Sequence, residues 1–517
     1  MARPGKAQRG EPEGESLSTV LSRAPAGLQA PLVRVETHLA AGLPCFVIVG
    51  LPETVIRESK ERVRSAILNS GFSFPSGRIT VNLAPADLPK EGGRFDLPSA
   101  MGILAAGAQI DAAMLAGREF FGELSLTGEL RETARLLPAL IAGAAEPHEL
   151  VIPAANAVEA TLLADAPLRL AGSLAQVCAW LRGERALFAA SPGIDPPQEP
   201  LPVDLADVRG QLAAKRALEI AAAGGHGLLL IGPPGSGKTL LAQRLPGLLP
   251  PLNTGEALQA GAVASAAGGR PRASRMPPFR QPQHTASAAA LVGGGQMLRP
   301  GEVSLAHHGV LFLDELPEFS RDALEALREP LESGVVVLSR ARRVVEFPAR
   351  FLLVAAMNPC PCGWQGDARR RCRCTAEQVR RYRAKLSGPL LDRIDIHVEV
   401  RSVPPEELLD RTALAGEGSL AVSARVRAAR ARQWSRQGRL NAHLSAAELA
   451  ARAPLDRPGR ALLARAIGCL GLSARGCDRV IKLARTIADL KEEPDIRATH
   501  VSEAIALRAL DRAPEQE

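Results

Sequence analysis

The chain has 517 residues, which is too long for one hydrophobic core and predicts about three domains. Its apolar fraction of 46% and charged fraction of 23% are typical of a soluble globular protein, and the absence of any run of about 18 apolar residues argues against a membrane span. The net charge of +8 favours polyanionic partners, while only eight cysteines argue against a disulfide scaffold and favour the cytoplasm.

The first part of the chain predicts an α+β domain. Residues 1–18 are polar and lack the apolar segment of a signal peptide, so we expect a disordered tail. Residues 19–184 alternate strand-like runs with helical patterns, including a predicted helix over 55–70. Strands are predicted at 33–37, 46–49, 79–83 and 150–152. The proline-dense stretch 185–202 predicts a linker.

Two further blocks follow the linker. Residues 203–403 alternate strands and helices, which predicts an α/β core with a mostly parallel sheet. Residues 404–517 are rich in Ala, Leu and Arg at helical spacing and predict a small all-helical domain. The chain is therefore expected to be an α/β multidomain protein.

The second block opens with a phosphate-loop pattern, G-x-x-x-x-G-K-T, directly after the apolar run 227–231. Its residues are Gly232, Pro233, Pro234, Gly235, Ser236, Gly237, Lys238 and Thr239. Glycines in such a loop let backbone N–H groups converge on phosphate oxygens, the lysine reaches the β- and γ-phosphates, and the hydroxyl ligates Mg²⁺. The sequence therefore predicts binding of ATP with Mg²⁺.

Four motifs further along the chain predict hydrolysis as well as binding. A buried strand ends in Asp314 and Glu315, of which we assign the first to Mg²⁺ and the second to the attacking water. Asn358 ends another apolar strand and is placed to polarise the γ-phosphate or the water. Arg393 can project into a neighbouring subunit's site, the alternative being a salt bridge with a nearby aspartate. Arg475 begins a helix and can contact the γ-phosphate from a lid.

A cysteine-rich insert at 360–374 follows the asparagine. It contains Cys360, Cys362, Cys372 and Cys374, which form two C-x-C pairs separated by nine residues. Four thiolates in a short loop can make a tetrahedral zinc site, and the arginines around them favour deprotonated sulfur. Because zinc sites more commonly use C-x₂-C pairs, four free cysteines in an ordered turn remain the alternative.

Basic residues form two acid-poor clusters. The first comprises Arg369, Arg370, Arg371, Arg373, Arg380, Arg381, Arg383 and Lys385. The second comprises Arg425, Arg427, Arg430, Arg432, Arg436 and Arg439. Such clusters suit nucleic-acid backbones, so we expect contact with single-stranded or branched DNA. An aromatic fraction of 3% leaves little base stacking and predicts weak sequence preference.

The order and the residues of these motifs resemble those of the AAA+ ATPases of the magnesium-chelatase-related branch, and specifically those of the ComM/YifB family. The resemblance runs from about residue 18 to about residue 510. The segments that carry it are 48–53, 58–64, 83–91, 207–211, 214–226 and 485–490. It implies a Lon-protease-like, S5-type first domain, an AAA+ core and a C-terminal lid. It also implies a hexameric ring and, for ComM-like members, a DNA branch-migration helicase of natural transformation. In this resemblance Arg393 matches the arginine finger and Arg475 the second sensor.

Two places depart from the patterns that the resemblance implies. The family's Pro-Phe-Arg-Ala-Pro-His-His stretch is altered at 278–284, where Arg280 and His284 are kept. In the first domain Ser99 occupies the Lon nucleophile context, but Leu137 stands where the lysine base belongs. Because a serine needs a base, we expect Ser99 to start or pack a helix and expect no proteolysis.

Three functions thus stand in order. The leading one is an ATP-driven motor acting on DNA. The alternative is a protein-remodelling or magnesium-chelatase-type motor subunit that acts through a partner protein. The third, an ATP-dependent protease, is disfavoured by the missing lysine.

Overall fold

The structure is a computed structural model that describes most of the chain. The described residues are 16–50, 54–88, 90, 92–163, 165–189, 203–270, 274–295, 298–340, 343–367, 370–404, 416–508 and 510. Residues 1–15 of the predicted tail, 190–202 of the predicted linker and the stretch 405–415 lie outside them. Two compact units form, one of 1–197 with 261–274 and the other of 198–260 with 275–517.

The first unit is built on a mixed sheet. Its strands are β1 (Ser16–Arg23), β2 (Leu32–Ala40), β3 (Cys45–Val49), β4 (Arg78–Ala84), β5 (Arg118–Phe120), β6 (Glu123–Leu124), β7 (Leu130–Arg131), β8 (Glu149–Pro153), β9 (Leu168–Ala171) and β10 (Phe188–Ala189). The sheet order is β10-β9-β8-β5-β1-β2-β4-β3, and β6 pairs with β7 separately. The four predicted strands are confirmed as β2, β3, β4 and β8. The sheet begins at Ser16, so residues 16–18 of the predicted tail are part of β1, and β10 extends the unit five residues past 184.

Helices cover this sheet. They are α1 (Thr54–Asn69), α2 (Asp96–Ala106), α3 (Leu137–Ala144), α4 (Ala157–Thr161) and α5 (Leu174–Leu181). Helix α2 is buried along its whole length because it packs on β1 and β2 and also against α1. Ser99 lies buried in α2 and Leu137 is buried at the start of α3. The Lys90 ammonium donates to the backbone carbonyl of Pro85. Ser99 is thus a packing residue, as the missing lysine predicts.

The second unit is built on a parallel sheet. Its strands are β11 (Leu228–Ile231), β12 (Phe279–Arg280), β13 (Gly293–Gly294), β14 (Arg299–Pro300), β15 (Val310–Leu313), β16 (Val335–Arg340), β17 (Arg343–Pro348), β18 (Leu352–Met357) and β19 (Ile396–Glu399). The order β12-β15-β18-β11-β19 is parallel throughout, which confirms the prediction. Every residue of β11, β15 and β18 is buried, as expected when helices cover both faces of a sheet.

Helices surround this sheet and fill the C-terminal region. They are α6 (Leu212–Gly224), α7 (Lys238–Leu248), α8 (Thr254–Ala266), α9 (Ala288–Val292), α10 (Glu302–Leu305), α11 (Arg321–Ala326), α12 (Arg328–Ser333), α13 (Ala376–Arg383), α14 (Gly388–Leu391), α15 (Ser419–Gln437), α16 (Ala446–Arg452), α17 (Arg457–Leu470), α18 (Ala474–Leu490) and α19 (Ala498–Ala506). In the described parts of the chain, none of the helices combines the length and apolarity that crossing a membrane requires.

The C-terminal helices share one hydrophobic core with the parallel sheet. Helix α15 packs on α6 and α7, and α18 packs on α6. The small side chains of α6, such as Ala217 and Ala221, are fully buried because the helix lies between the sheet and this second layer. The predicted helical domain at 404–517 therefore belongs to the same compact unit as the α/β core.

Candidate nucleotide site and cysteine cluster

The phosphate loop lies between β11 and α7, at the carboxyl edge of the parallel sheet. Gly235 and Gly237 have φ angles of +75° and +92°, which favour glycine, and a Cβ at either would meet nothing within 4 Å. Gly232 is needed for a different reason, since a Cβ there would lie 2.1 Å from the carbonyl oxygen of Val400. The loop therefore has glycine conformations and a place directly before α7 that suit a phosphate-binding loop, in which backbone N–H groups at a helix N-terminus bind the anion.

Lys238 and Asn358 meet inside this loop. The Lys238 ammonium donates to the carbonyl oxygens of Gly232 at 2.7 Å and Pro233 at 2.9 Å, and to Asn358 Oδ1 at 3.2 Å. Burial lowers the pKa of Lys238, although two nearby carboxylates act in the opposite direction. The structure therefore brings together two predicted residues that are 120 positions apart.

Thr239 and Asp314 supply oxygen ligands suited to Mg²⁺. The Thr239 hydroxyl donates to Asp314 Oδ2 at 2.7 Å. Neighbouring oxygens around an octahedral Mg²⁺ are about 3 Å apart, given metal–oxygen distances of about 2.1 Å. The pair therefore fits a magnesium ion with little movement, as the sequence predicts.

Glu315 follows at the mouth of the site. Its backbone has φ +52°, its N–H donates to Asp314 Oδ1 at 2.9 Å, and its side chain is 56% exposed. His284 Nδ1 lies 3.4 Å from Glu315 Oε2. Residues 281–284 line a cavity together with the two acids. The altered stretch 278–284 thus contributes His284 next to Glu315. The sequence alone did not reveal this contact.

Arg393 lies between α14 and β19 and is held by its own chain. It donates to the carbonyl oxygen of Pro389 at 2.6 Å and forms an ion pair with Glu332. The alternative salt bridge with Asp392 or Asp395 is wrong, because both aspartates face Arg479 instead. Among the described residues, no hydrogen bond joins Arg393 to the phosphate loop of the same chain.

A buried polar network lies behind Arg393. His226 Nδ1 is 3.0 Å from Asp395 Oδ2, and His226 Nε2 is 2.8 Å from the Thr486 hydroxyl. Arg479 Nε lies 3.4 Å from Asp395 Oδ1. Burial opposes ionisation, but His226 and Arg479 hold the pKa of Asp395 below its usual range. The network connects the loop that carries Arg393 to α18. Arg475, in the first turn of α18, has an exposed side chain with no bonding partner in the described chain.

The four predicted cysteines lie together. Cys360 Sγ is 3.4 Å from Cys362 Sγ and 3.7 Å from Cys372 Sγ. The Sγ atoms of Cys362 and Cys372 are 3.6 Å apart. With Cys374 included, all four Sγ atoms lie within 4.8 Å of one another. Disulfide sulfurs would be about 2.05 Å apart. Sulfurs around a tetrahedral zinc are about 3.8 Å apart, given zinc–sulfur distances of about 2.3 Å. The spacing therefore fits a zinc site.

Local hydrogen bonds prepare one of these thiols for ionisation. Backbone groups of Arg373 and Trp364 lower the pKa of Cys362 to about 6. A backbone group of Cys362 also lowers the pKa of Cys374, but burial and the neighbouring thiols outweigh it and raise that pKa to about 12.

The second basic cluster is used within the chain. Arg425 pairs with Glu219, and Arg436 binds both carboxylate oxygens of Asp489 at 2.7 and 2.8 Å. Arg430 is half-buried and donates to the carbonyl oxygen of Ala222, and the loss of water around its guanidinium lowers its pKa to about 10. The partners Glu219 and Asp489 lie far away in sequence, on α6 and α18, and Arg425 also pairs with Glu417 just ahead of the cluster. Most of the cluster is therefore engaged within the chain and gives little support to the expected DNA contact, although Arg427 is exposed.

The first basic cluster remains on the surface. The side chains of Arg371, Arg373 and Arg381 are exposed and have no hydrogen-bond or ion-pair partner in the part of the chain that the structure describes. Arg370 stacks over the Trp364 ring at 4.5 Å. Arg369 lies outside the described residues. We call the three exposed arginines the arginine patch.

Comparison with known proteins covers nearly the whole chain. Family models described as "Magnesium chelatase, subunit ChlI", "Subunit ChlI of Mg-chelatase" and "Magnesium chelatase, subunit ChlI C-terminal" match residues 204–408, 35–156 and 416–508. The chain is 48% identical to the uncharacterized protein YifB of Escherichia coli and to the competence protein ComM of Haemophilus influenzae, over 96% of its length and 98% of theirs. A magnesium-chelatase subunit ChlI of Porphyra purpurea is 29% identical over 23% of this chain.

Proposed function

The chain belongs to the ComM/YifB family of magnesium-chelatase-related AAA+ proteins, and from this we propose that it is a DNA-remodelling ATPase acting as a hexameric branch-migration helicase. One observation carries the proposal for ATP. Two side-chain hydrogen bonds, Lys238 to Asn358 and Thr239 to Asp314, lie at the carboxyl ends of three neighbouring parallel strands. Nucleotides bind at such edges of parallel sheets.

The residues divide the hydrolysis of ATP among them. Lys238 and the loop N–H groups bind the β- and γ-phosphates, and Asn358 holds the γ-phosphate or the water beside it. Mg²⁺ held by Thr239 and Asp314 neutralises phosphate charge when bound. Glu315 orients a water and takes its proton as the oxygen bonds to the γ-phosphorus. The bond to the bridging oxygen breaks, which releases ADP and phosphate.

Each site is completed by a neighbouring subunit in this proposal. Arg393 serves as the arginine finger of the adjacent protomer and stabilises the charge on the transferred phosphoryl group. Its support is that, within the described chain, Arg393 bonds to no part of its own phosphate loop; the ion pair with Glu332 must open for contact with a neighbour. Arg475 on α18 contacts the γ-phosphate as the lid closes.

The proposed track is single-stranded or branched DNA, bound without sequence preference. The arginine patch lies on and just after the cysteine loop, and exposed unpaired arginines bind phosphate backbones by releasing counterions. A family relative is a competence protein, which supports a role for the chain in handling DNA during transformation. The chelatase alternative is supported by the ChlI family models at 35–156, 204–408 and 416–508, but the ChlI relative is 29% identical over only 23% of the chain, whereas ComM is 48% identical over 96%.

Removing the arginine patch should weaken DNA binding. In Arg371→Ala/Arg373→Ala/Arg381→Ala, we expect the slope of log affinity against log salt for a forked oligonucleotide to flatten by about two to three, because each phosphate contact contributes roughly 0.7–0.9. Fluorescence anisotropy at four salt concentrations measures this slope. The control removes three exposed arginines elsewhere, Arg452, Arg457 and Arg465. An equal loss in both variants would assign the effect to net charge and contradict the patch.

Branch migration itself is tested with a labelled four-way junction and the purified chain. We expect strand exchange with ATP and none with a non-hydrolysable analogue. ATP hydrolysis without strand exchange, and without stimulation by any DNA, would favour the alternative of a motor that works on a partner protein.

We also propose that the cysteine cluster holds Zn²⁺. Elemental analysis of the purified chain should find about one zinc per chain, as for four-cysteine sites. The double variant Cys362→Ser/Cys372→Ser should lose it, whereas Cys45→Ser, at an exposed cysteine outside the cluster, should keep it. A chain that carries no zinc when purified and takes up none when it is supplied would refute the site.

A further inference from the structure

We propose that the metal–thiolate cluster is a positioning element of the ATP site. Metal bound to the four cysteines holds the turn at 360–363 against the phosphate loop and fixes Asn358 beside Lys238. This inference rests on the zinc proposed above and goes beyond it, since a zinc site can stabilise a loop without affecting catalysis.

The first step is the covalent connection between Asn358 and the cluster. Strand β18 ends at Met357, Asn358 follows, and a single proline separates Asn358 from Cys360. Proline fixes its φ angle, so this connection has little freedom. Cys360 is fully buried and is the cluster member closest in sequence to the ATP site. A metal that fixes Cys360 therefore restricts Asn358 directly.

The second step is a contact between the cysteine turn and the phosphate loop. Gly363 donates its N–H to the Cys360 carbonyl at 2.9 Å and has φ +82°. A Cβ on Gly363 would lie 2.6 Å from Cδ and 2.9 Å from Cγ of Pro234 in the phosphate loop. The turn thus presses its backbone on the loop that binds phosphate, and no side chain fits between them.

The third step is a contact between Asn358 and helix α13, which follows the last cysteine. Helix α13 begins two residues after Cys374 and carries Tyr382, which is only 7% exposed. Burial raises the pKa of Tyr382 to about 12 while a backbone group of Asn358 acts in the opposite direction, so that backbone group lies close to the phenol. The chain therefore leaves Asn358, passes through all four cysteines and returns to Asn358. A metal at the base of this loop holds both of its ends.

The consequence concerns catalysis more than folding. Without a metal, the contacts that join the two C-x-C pairs among the described residues are weak ones, between thiols and from backbone groups to thiols, and the turn is free to move off Pro234. Asn358 and Lys238 then lose their fixed spacing. Because a misplacement of about 1 Å can cost about 100-fold in rate, we expect a 10- to 100-fold fall in kcat for ATP hydrolysis.

Two glycines of the same loop provide a matched test. Gly363→Ala and Gly366→Ala impose similar backbone strain, since the φ angles are +82° and +77°. A Cβ at Gly366 meets nothing within 4 Å, whereas one at Gly363 meets Pro234. We expect both variants to keep their zinc, Gly363→Ala to lose at least about tenfold in hydrolysis, and Gly366→Ala to stay near wild type. Equal hydrolysis by the two variants would overturn the inference.

Metal removal from the wild-type chain gives an independent test. A nitrogen-donor chelator that binds Zn²⁺ and spares Mg²⁺ is applied, and zinc content, binding of a fluorescent ATP analogue and hydrolysis are followed together. We expect hydrolysis and ATP affinity to fall with zinc content and to recover when Zn²⁺ is restored. Full hydrolysis by zinc-free protein would overturn the positioning role alone. A zinc-loaded chain that never hydrolyses ATP would instead overturn the proposed function.

Discussion

Glu315→Gln is expected to lower kcat for ATP hydrolysis by about 10²- to 10⁴-fold while ATP stays bound, because glutamine keeps the shape of glutamate but cannot accept the proton of the attacking water. Lys238, Thr239 and Asp314 form their own hydrogen bonds and do not depend on the Glu315 side chain. Binding should therefore persist. Phosphate release measures turnover, and the nucleotide that remains bound after gel filtration measures retention.

Asp314→Asn is the matched comparison for this result. It makes the same change from acid to amide one position earlier, where the carboxylate accepts a hydrogen bond from the Thr239 hydroxyl. We expect it to weaken the Mg²⁺ dependence of nucleotide binding instead of trapping ATP. Hydrolysis by Glu315→Gln within about threefold of wild type would remove Glu315 from the role of general base.

Arg393→Ala is expected to reduce hydrolysis by about 10³-fold or more without reducing ATP affinity, because an arginine finger acts on charge that develops in the transition state. Within one chain Arg393 contacts Glu332 and Pro389, and its loss leaves the hydrogen bonds of the phosphate loop intact. Steady-state hydrolysis and binding of a fluorescent ATP analogue separate the two effects. Arg465→Ala, at an exposed position on α17, is the control and should be close to wild type.

Mixing two inactive variants distinguishes action on a neighbour from action within one chain. A subunit with Arg393→Ala keeps Glu315, and a subunit with Glu315→Gln keeps Arg393. In a ring of both, about a quarter of the interfaces join an intact Glu315 to an intact Arg393, if mixing is random. We therefore expect activity to reappear on mixing. Mixed rings that stay inactive at every ratio would contradict the trans role.

The nucleotide site was predictable because its parts are local in sequence. A phosphate loop or an acidic strand end is recognised within a few residues, and parallel strands bring their carboxyl ends to one edge of a sheet. Lys238, Thr239, Asp314 and Asn358 therefore meet as expected. The cysteine pairs were likewise found from spacing alone.

Contacts between distant segments were not predictable. His226 meets Asp395 169 positions away and Thr486 260 positions away, and nothing local in the sequence marks either pairing. Arg425 was expected to be available to DNA, but it pairs with Glu219, 206 positions away on α6, as well as with Glu417. The packing of Gly363 on Pro234 is equally hidden, since it depends on two loops meeting in space.

The most direct test is ATP consumption by the purified full-length chain with Mg²⁺, measured with and without forked DNA at rising salt concentrations. We expect Mg²⁺-dependent hydrolysis that DNA stimulates, that salt reduces toward the basal rate, and that Lys238→Ala abolishes. A chain that consumes no ATP under any of these conditions, or whose hydrolysis survives Lys238→Ala, would contradict the proposed function.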